Sequence, residues 1–262
     1  MNEAERIKLK IKHDRNRDLF FYICLIIFFA IAICVASIMF SNRYKPDPSL
    51  YRNYDLSKDI IPEPVQEPVE KESFKIRKYG SNIEITKLAS YDITGKVEAL
   101  KDFSGNFLSN FFTFQTYDMT NYISPRDVTL TWGELALDEN SDSIRASQNI
   151  FNGQRVVAYA YTSELKKKYG EKFIETHLSN NHIITLNNDL KRILMKIKVT
   201  DIVRIKGYLV DVKGSNGWEW GPSSLTRTDH GLHSCEIIYA EDIVIMKKWK
   251  KPEIWRKKPN MV

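Results

Sequence analysis

The 262-residue chain carries 39 Lys and Arg against 33 Asp and Glu, a formal charge of +6, and 3 cysteines. The cysteines exclude a disulfide framework: Cys24 and Cys34 fall in one apolar run and Cys235 stands alone outside it, and one cysteine makes no intrachain bridge. The charge excludes a broad nucleic-acid surface, because it sits at the ends of the chain. Met1–Asp18 holds six basic against four acidic residues and Lys247–Val262 seven against one, which leaves 26 and 28 for residues 19–246. A phosphate-binding surface belongs on the folded part, and that part is nearly neutral.

In chain order, a basic tail (1–18) comes first, then Leu19–Phe40, twenty-two residues without a charge. As an α-helix this run would be about 33 Å long, enough for a hydrocarbon core of roughly 30 Å. One transmembrane helix is therefore expected at 19–40. Arg6, Lys8, Lys10, Lys12, Arg15 and Arg17 precede it and only Arg43 and Lys45 follow closely, which keeps the N-terminus in the cytoplasm and exports the rest. A cleaved signal peptide is the competing reading. The apolar run exceeds an h-region of about 7–15 residues and lacks a clean small-x-small site, so an uncleaved anchor in the inner (cytoplasmic) membrane is expected, with a periplasmic or extracellular domain.

Residues 41–72 contain Pro46, Pro48, Pro62, Pro64 and Pro68 and read as an extended linker. The exported domain follows at 73–246, long enough for a core of its own. Alternating apolar positions mark strands in NIEITKLASYDITGKVEALKDF, with Gly95 as a bend, and in DIVRIKGYLVDVKG, with Gly207 as another. RVVAYAY and CEIIYAEDIVIM add two more strands. Helices are expected over Ser163–His177, capped by Ser163, and over NDLKRILMKIK, capped by Asn188. The expected class is α+β: one N-terminal transmembrane helix plus a bent, mainly antiparallel sheet with two or more helices. The glycine-bearing strand beside a helix resembles those of a small OB-like barrel.

Polar side chains concentrate in Trp132-Gly133-Glu134, Ser179-Asn180-Asn181-His182 and the long segment Gly217–Glu236. The Trp132-Gly133 pair, the SNNH run, the GYLV strand and a segment with Trp220, Ser223-Ser224, Thr226-Arg227, Asp229, Gly231 and Cys235-Glu236 are similar to a family of bacterial single-span membrane-anchored proteins without an assigned activity. The similarity covers about residues 125–243 in scattered motifs and implies location and domain type only. His230 and His233 stand where that pattern has small residues, which argues against a role for either.

Three chemical readings of these residues remain. His230, His233 and Cys235 are zinc-type ligands, but their spacing is short and Gly231 interrupts them, so no metal or cofactor is expected. Ser224 or Cys235, served by His182 and Asp229, has the residue types for acyl transfer, without a G-x-S-x-G elbow. In the third reading Arg227 and Asp229 pair, Ser223, Ser224, Thr226 and His182 satisfy loop backbone, and Trp218 and Trp220 fill the core. Trp132, Asn181, Trp218, Trp220 and Ser224 are the candidates for binding a ligand or partner. The tail 247–262, with Trp249 and Trp255 among seven cations, suits an anionic membrane surface. The expected function is a membrane-anchored envelope protein whose exported domain is a binding or assembly module for protein partners. The alternative is a membrane-tethered hydrolase using His182, Arg227 and Asp229, with Cys235 as a further catalytic candidate.

Overall fold

The computed structural model describes residues 21, 23–31, 33, 48–78, 81–103, 119–151, 154–215, 217–226 and 235–247. The chain falls into two compact units, Met1–Lys45 and Pro46–Val262. In the first unit, Phe21 and residues 23–31 and 33 are helical and exposed. No helix among the described residues is long and apolar enough to cross a membrane. The expected fold class is corrected on this point: the described architecture is a strand-rich α+β unit without a membrane-spanning helix.

The spine of the second unit is β3, Ser81–Asp102. Its odd-numbered positions from Ile83 to Ala99, apart from Lys87, are buried, the period-2 pattern of a half-covered strand. One edge of β3 pairs with β8 (Ile202–Gly214). The other edge takes β2 (Ser73–Lys78), β1 (Val65–Pro68) and β4 (Arg126–Thr131) in succession. From β4 the sheet continues through β7 (Leu178–Ile184) and β10 (Glu236–Lys247) back to β8. Strands β3, β4, β7, β10 and β8 thus close into a five-stranded barrel. Only β7 and β10 in this ring run parallel, and a helix joins β7 to β8, which is the strand order of an OB-fold. A two-residue strand β9 (Glu219–Trp220) extends the free end of β8.

Barrel closure explains Gly207. A Cβ there would lie 2.0 Å from the carbonyl oxygen of Tyr239, next to the bulge between Ala240 and Asp242 on β10. Any side chain would push the two strands apart. The proline-rich segment, expected as a spacer, is laid along the barrel: Leu50, Tyr54, Leu56 and Ile61 are buried, and Ile61 bridges to Gly133. Val65–Pro68 pairs as an edge strand, a place where the missing proline N–H costs little.

Strands β4 and β7 are buried at every position. The barrel interior takes one face, including Val128, Leu130 and Ile183. The other face is covered by a separate hairpin, β5 (Ile144–Phe151) and β6 (Gln154–Tyr161). At its base the hairpin packs on a small apolar cluster of Leu135, Ile144, Leu165, Ile174 and Leu178. Leu165 and Ile174 come from the region expected as one helix. It is two, Ser163–Tyr169 and Glu171–Thr176, separated by Gly170 at φ +83°. Such an angle interrupts a right-handed helix and suits glycine. The cap is Thr162, whose hydroxyl accepts the Leu165 N–H at 3.2 Å.

The helix Asn188–Leu194 turns Leu190 and Leu194 into the core. Its cap is Asn187, one residue earlier than expected; Oδ1 accepts the N–H groups of Asp189 at 2.8 Å and Leu190 at 3.4 Å. At the other end, Arg126 Nη1 donates to the carbonyls of Leu194 at 2.8 Å and Ile197 at 2.9 Å, meeting acceptors that a helix end leaves open. Asn187→Ala is expected to cost about 1 kcal/mol and to lower Tm by roughly 2–4 °C. Calorimetry of the two proteins checks this; an unchanged Tm would remove the cap from the account.

Candidate functional site

Register alone sets which polar residues meet on the outer face of β4 and β7. Asp127 pairs with His182 and Thr129 with Asn180, so these four side chains share one face. Glu236 pairs with Asn181 on the parallel neighbour, which brings Cys235, one residue earlier, beside Asn180. Asn180 Nδ2 lies 3.8 Å from Cys235 Sγ as its donor. The thiol also reaches the His182 ring.

The hairpin supplies the roof. Gln148 Nε2 donates to Thr129 Oγ1 at 2.8 Å and to Asn180 Oδ1 at 2.9 Å. Arg155 Nη1 donates to Asp127 Oδ1 at 2.9 Å and to Ser124 Oγ at 3.1 Å. Its Nη2 donates to Asn121 Oδ1 at 2.7 Å and to the Ser124 carbonyl at 2.9 Å. The guanidinium lies over the Phe103 ring at 3.6 Å and within 5.4 Å of Trp220. An arginine presents several donors in a plane and stacks on aromatic faces, so one residue of the hairpin tethers it to three neighbours.

Asp127 is 1% exposed and His182 4%. His182 Nδ1 lies 2.9 Å from Asp127 Oδ1 but is poorly aligned for a hydrogen bond, so the attraction is mainly coulombic. Burial alone pushes the imidazole down. The Asp127 carboxylate and, to a lesser degree, the Cys235 side chain outweigh it and raise His182 to about 9. His182 is therefore an imidazolium at neutral pH. Two acceptors in this layer, Asp127 Oδ2 and Gln148 Oε1, are buried without a hydrogen-bond partner, which is uncommon for buried polar atoms.

The other expected site residues separate. Asn181, next in sequence to His182, points the opposite way into the barrel and donates to the Val128 carbonyl at 3.0 Å. Ser223 and Glu236 form their own buried pair, the hydroxyl donating to Oε2 at 2.9 Å and accepting the Ile237 N–H at 2.9 Å. Trp132, expected at a binding surface, is 1% exposed and donates from Nε1 to Glu63 at 2.8 Å; it is a core residue. Trp218 packs on the cluster of Ile83, Ile85, Val210 and Val212. Trp220 is half-buried with its ring 5.2 Å from that of His182, so it belongs to the cluster. Ser224 accepts the Thr226 N–H at 3.1 Å, a local turn contact. Arg227, Asp229, His230 and His233 lie outside the described residues. Asp127 and Arg155 were not among the expected site residues, and no motif announced them.

Among the described residues no group of three His, Cys, Asp or Glu is placed to hold a metal ion. A separate cavity of about 230 Å³ is lined by Lys96, Glu98, Ser141, Arg145 and Thr200, and its Lys96–Glu98 pair, 3.1 Å apart, is itself buried. It shares no residue with the His182 cluster. Comparison with protein-family models, curated proteins and solved structures gave no match.

Proposed function

We propose that the barrel is a binding module within an envelope assembly, with its site between the β4–β7 face and the β5–β6 hairpin. The observation that carries this reading is the pair of buried acceptors without donors, Asp127 Oδ2 and Gln148 Oε1. Barrels of this strand order use the same outer face for oligomeric ligands. A donor-rich ligand satisfies such acceptors. It is not a cation, because the layer already contains two, Arg155 and His182, against Asp127. Hydroxyl groups of a glycan fit these demands, and Trp220 beside His182 offers a ring for a sugar to stack on. The hydrolase reading has less behind it: Arg227 and Asp229 are outside the described residues, and the acid beside His182 is Asp127, which Arg155 also holds.

Calorimetric titration with neutral glycan oligosaccharides tests the proposal. Binding is expected, and Gln148→Leu, folded by circular dichroism, is expected to weaken it at least about tenfold, the loss of one hydrogen bond to a buried site. No heat at millimolar oligosaccharide, or an unchanged affinity in the variant, overturns it. Placement at a membrane rests on the composition of residues 1–45, and fractionation with protease protection of a tagged chain tests that separately. The tail from Lys248 to Val262 lies outside the described residues.

A further inference from the structure

Two charged side chains are buried in the wall of the 230 Å³ cavity. Lys96 and Glu98 stand two apart on β3 and so share a face; their side chains are 3% and 7% exposed, and both line the cavity. A buried ion pair offsets its desolvation only when its remaining hydrogen-bonding positions are also filled. Here they are not. Lys96 Nζ carries three hydrogens and has, among the described residues, two partners, Glu98 Oε1 and Ser141 Oγ, each at 3.1 Å. The same Oε1 also accepts the Thr131 hydroxyl at 2.9 Å, which leaves Oε2 without a partner among the described residues. The cavity wall therefore offers a buried donor beside a buried acceptor.

The rest of the lining completes the demand. Asp142 and Arg145 are exposed residues of the same wall, so two cations face two carboxylates and the lining has no net charge. Ile144 and Val199 make part of it apolar. Thr200, also in the wall, has φ +77° and is the one non-glycine residue with a positive φ among the described residues, an angle that β-branched residues rarely take. Its N–H donates to the Val97 carbonyl at 2.7 Å, and the Val97 N–H donates to the Asp201 carbonyl at 2.9 Å, which pins the strained residue to β3 between Lys96 and Glu98. Backbone outliers of this kind cluster at ligand sites. We propose that the cavity binds a free α-amino acid with a small apolar side chain. Its carboxylate meets Lys96 and Arg145, its ammonium meets Glu98 and Asp142, and its side chain lies on Ile144 and Val199. A wall of balanced charge favours a ligand that carries both signs, and a volume below the roughly 300–1,000 Å³ of drug-sized pockets keeps that ligand small. The proposal goes beyond the glycan reading and does not depend on it, because the two sites share no residue.

The test is calorimetric titration of the full chain with L-valine, with N-acetyl-L-valine, which lacks the ammonium, and L-valinamide, which lacks the carboxylate, as matched probes. Valine is expected to bind. Each blocked probe is expected to bind at least about tenfold more weakly, because it leaves one charged group of the wall without its partner. Arg145→Gln, at an exposed position, is expected to weaken valine about threefold. Lys96→Met with Glu98→Leu replaces the buried pair at similar volume and is expected to abolish binding in a chain that is folded by circular dichroism. No heat with millimolar valine, or a blocked probe that binds as tightly as valine, overturns the proposal on the wild-type chain alone. An affinity for valine that neither folded variant changes overturns it as well.

Discussion

Replacing Arg155 with alanine is expected to destabilise the domain by about 3–5 kcal/mol, the cost of removing one member of a buried ion pair. The guanidinium is the donor to Asp127, Ser124 and Asn121 and the lid on Phe103. Its loss leaves Asp127, 1% exposed, facing His182 alone, and opens a hole under the hairpin. A double variant separates charge from packing. Arg155→Met with Asp127→Leu removes both buried charges while keeping volume, and buried pairs replaced in this way are often neutral in cost. His182 then has no carboxylate, burial dominates, and it becomes neutral. The double variant is therefore expected to recover at least about half of the loss seen in Arg155→Ala. Urea denaturation of the three proteins measures it. A double variant less stable than Arg155→Ala would show that packing of the guanidinium, rather than the charge it balances, holds the hairpin down.

How far the sequence reveals this arrangement depends on how many faces of each strand are covered. β3 and β8 alternate visibly because one side of each meets the core, so Ile83, Ile85, Tyr91 and Ile93, and likewise Ile205, Leu209 and Val212, stand out. β4 and β7 do not alternate. With the hairpin on their outer face, Thr129, Thr131, Asn180 and His182 are as buried as Val128 and Ile183, and RDVTLT and LSNNHII read as polar segments rather than strands. The helix expected over Ser163–His177 is divided because Gly170 adopts a positive φ, which composition alone does not dictate. The N-terminal expectation came from the length of an apolar run, and no helix among the described residues is long and apolar enough to cross a membrane. In the site, His182 and Cys235 attract notice by type, and a nearby acid was expected in the same loop. The acid is Asp127, 55 residues before His182, selected by strand register, and its second partner Arg155 arrives from a hairpin. Neither pairing leaves a local sequence signature, since both depend on which strands close the barrel.

Stability is expected to fall as pH rises from about 6.5 to about 9, by roughly 3 kcal/mol in all. In the unfolded chain His182 titrates near 6.5, and in the fold it is raised to about 9. The folded state thus holds a proton that the unfolded state has released, and the difference of about 2.5 units at 1.36 kcal/mol each sets the scale. The contribution is complete below pH 6.5, declines through the interval, and is gone above 9. This direction is opposite to that of carboxylate pairs, whose stabilisation is lost on acidification. The groups that face the imidazole are Asp127 on β4, Cys235 ahead of β10, and the Trp220 ring on β9, with Arg155 of β6 on the far side of Asp127. Only the Asp127 charge is strong enough to overcome burial, so Asp127→Asn should flatten the profile even though His182 is retained. Denaturant midpoints at half-unit steps from pH 6 to 9.5, for wild type, His182→Gln and Asp127→Asn, check this. A wild-type midpoint that is level or rises across the interval would mean that His182 is neutral in the fold.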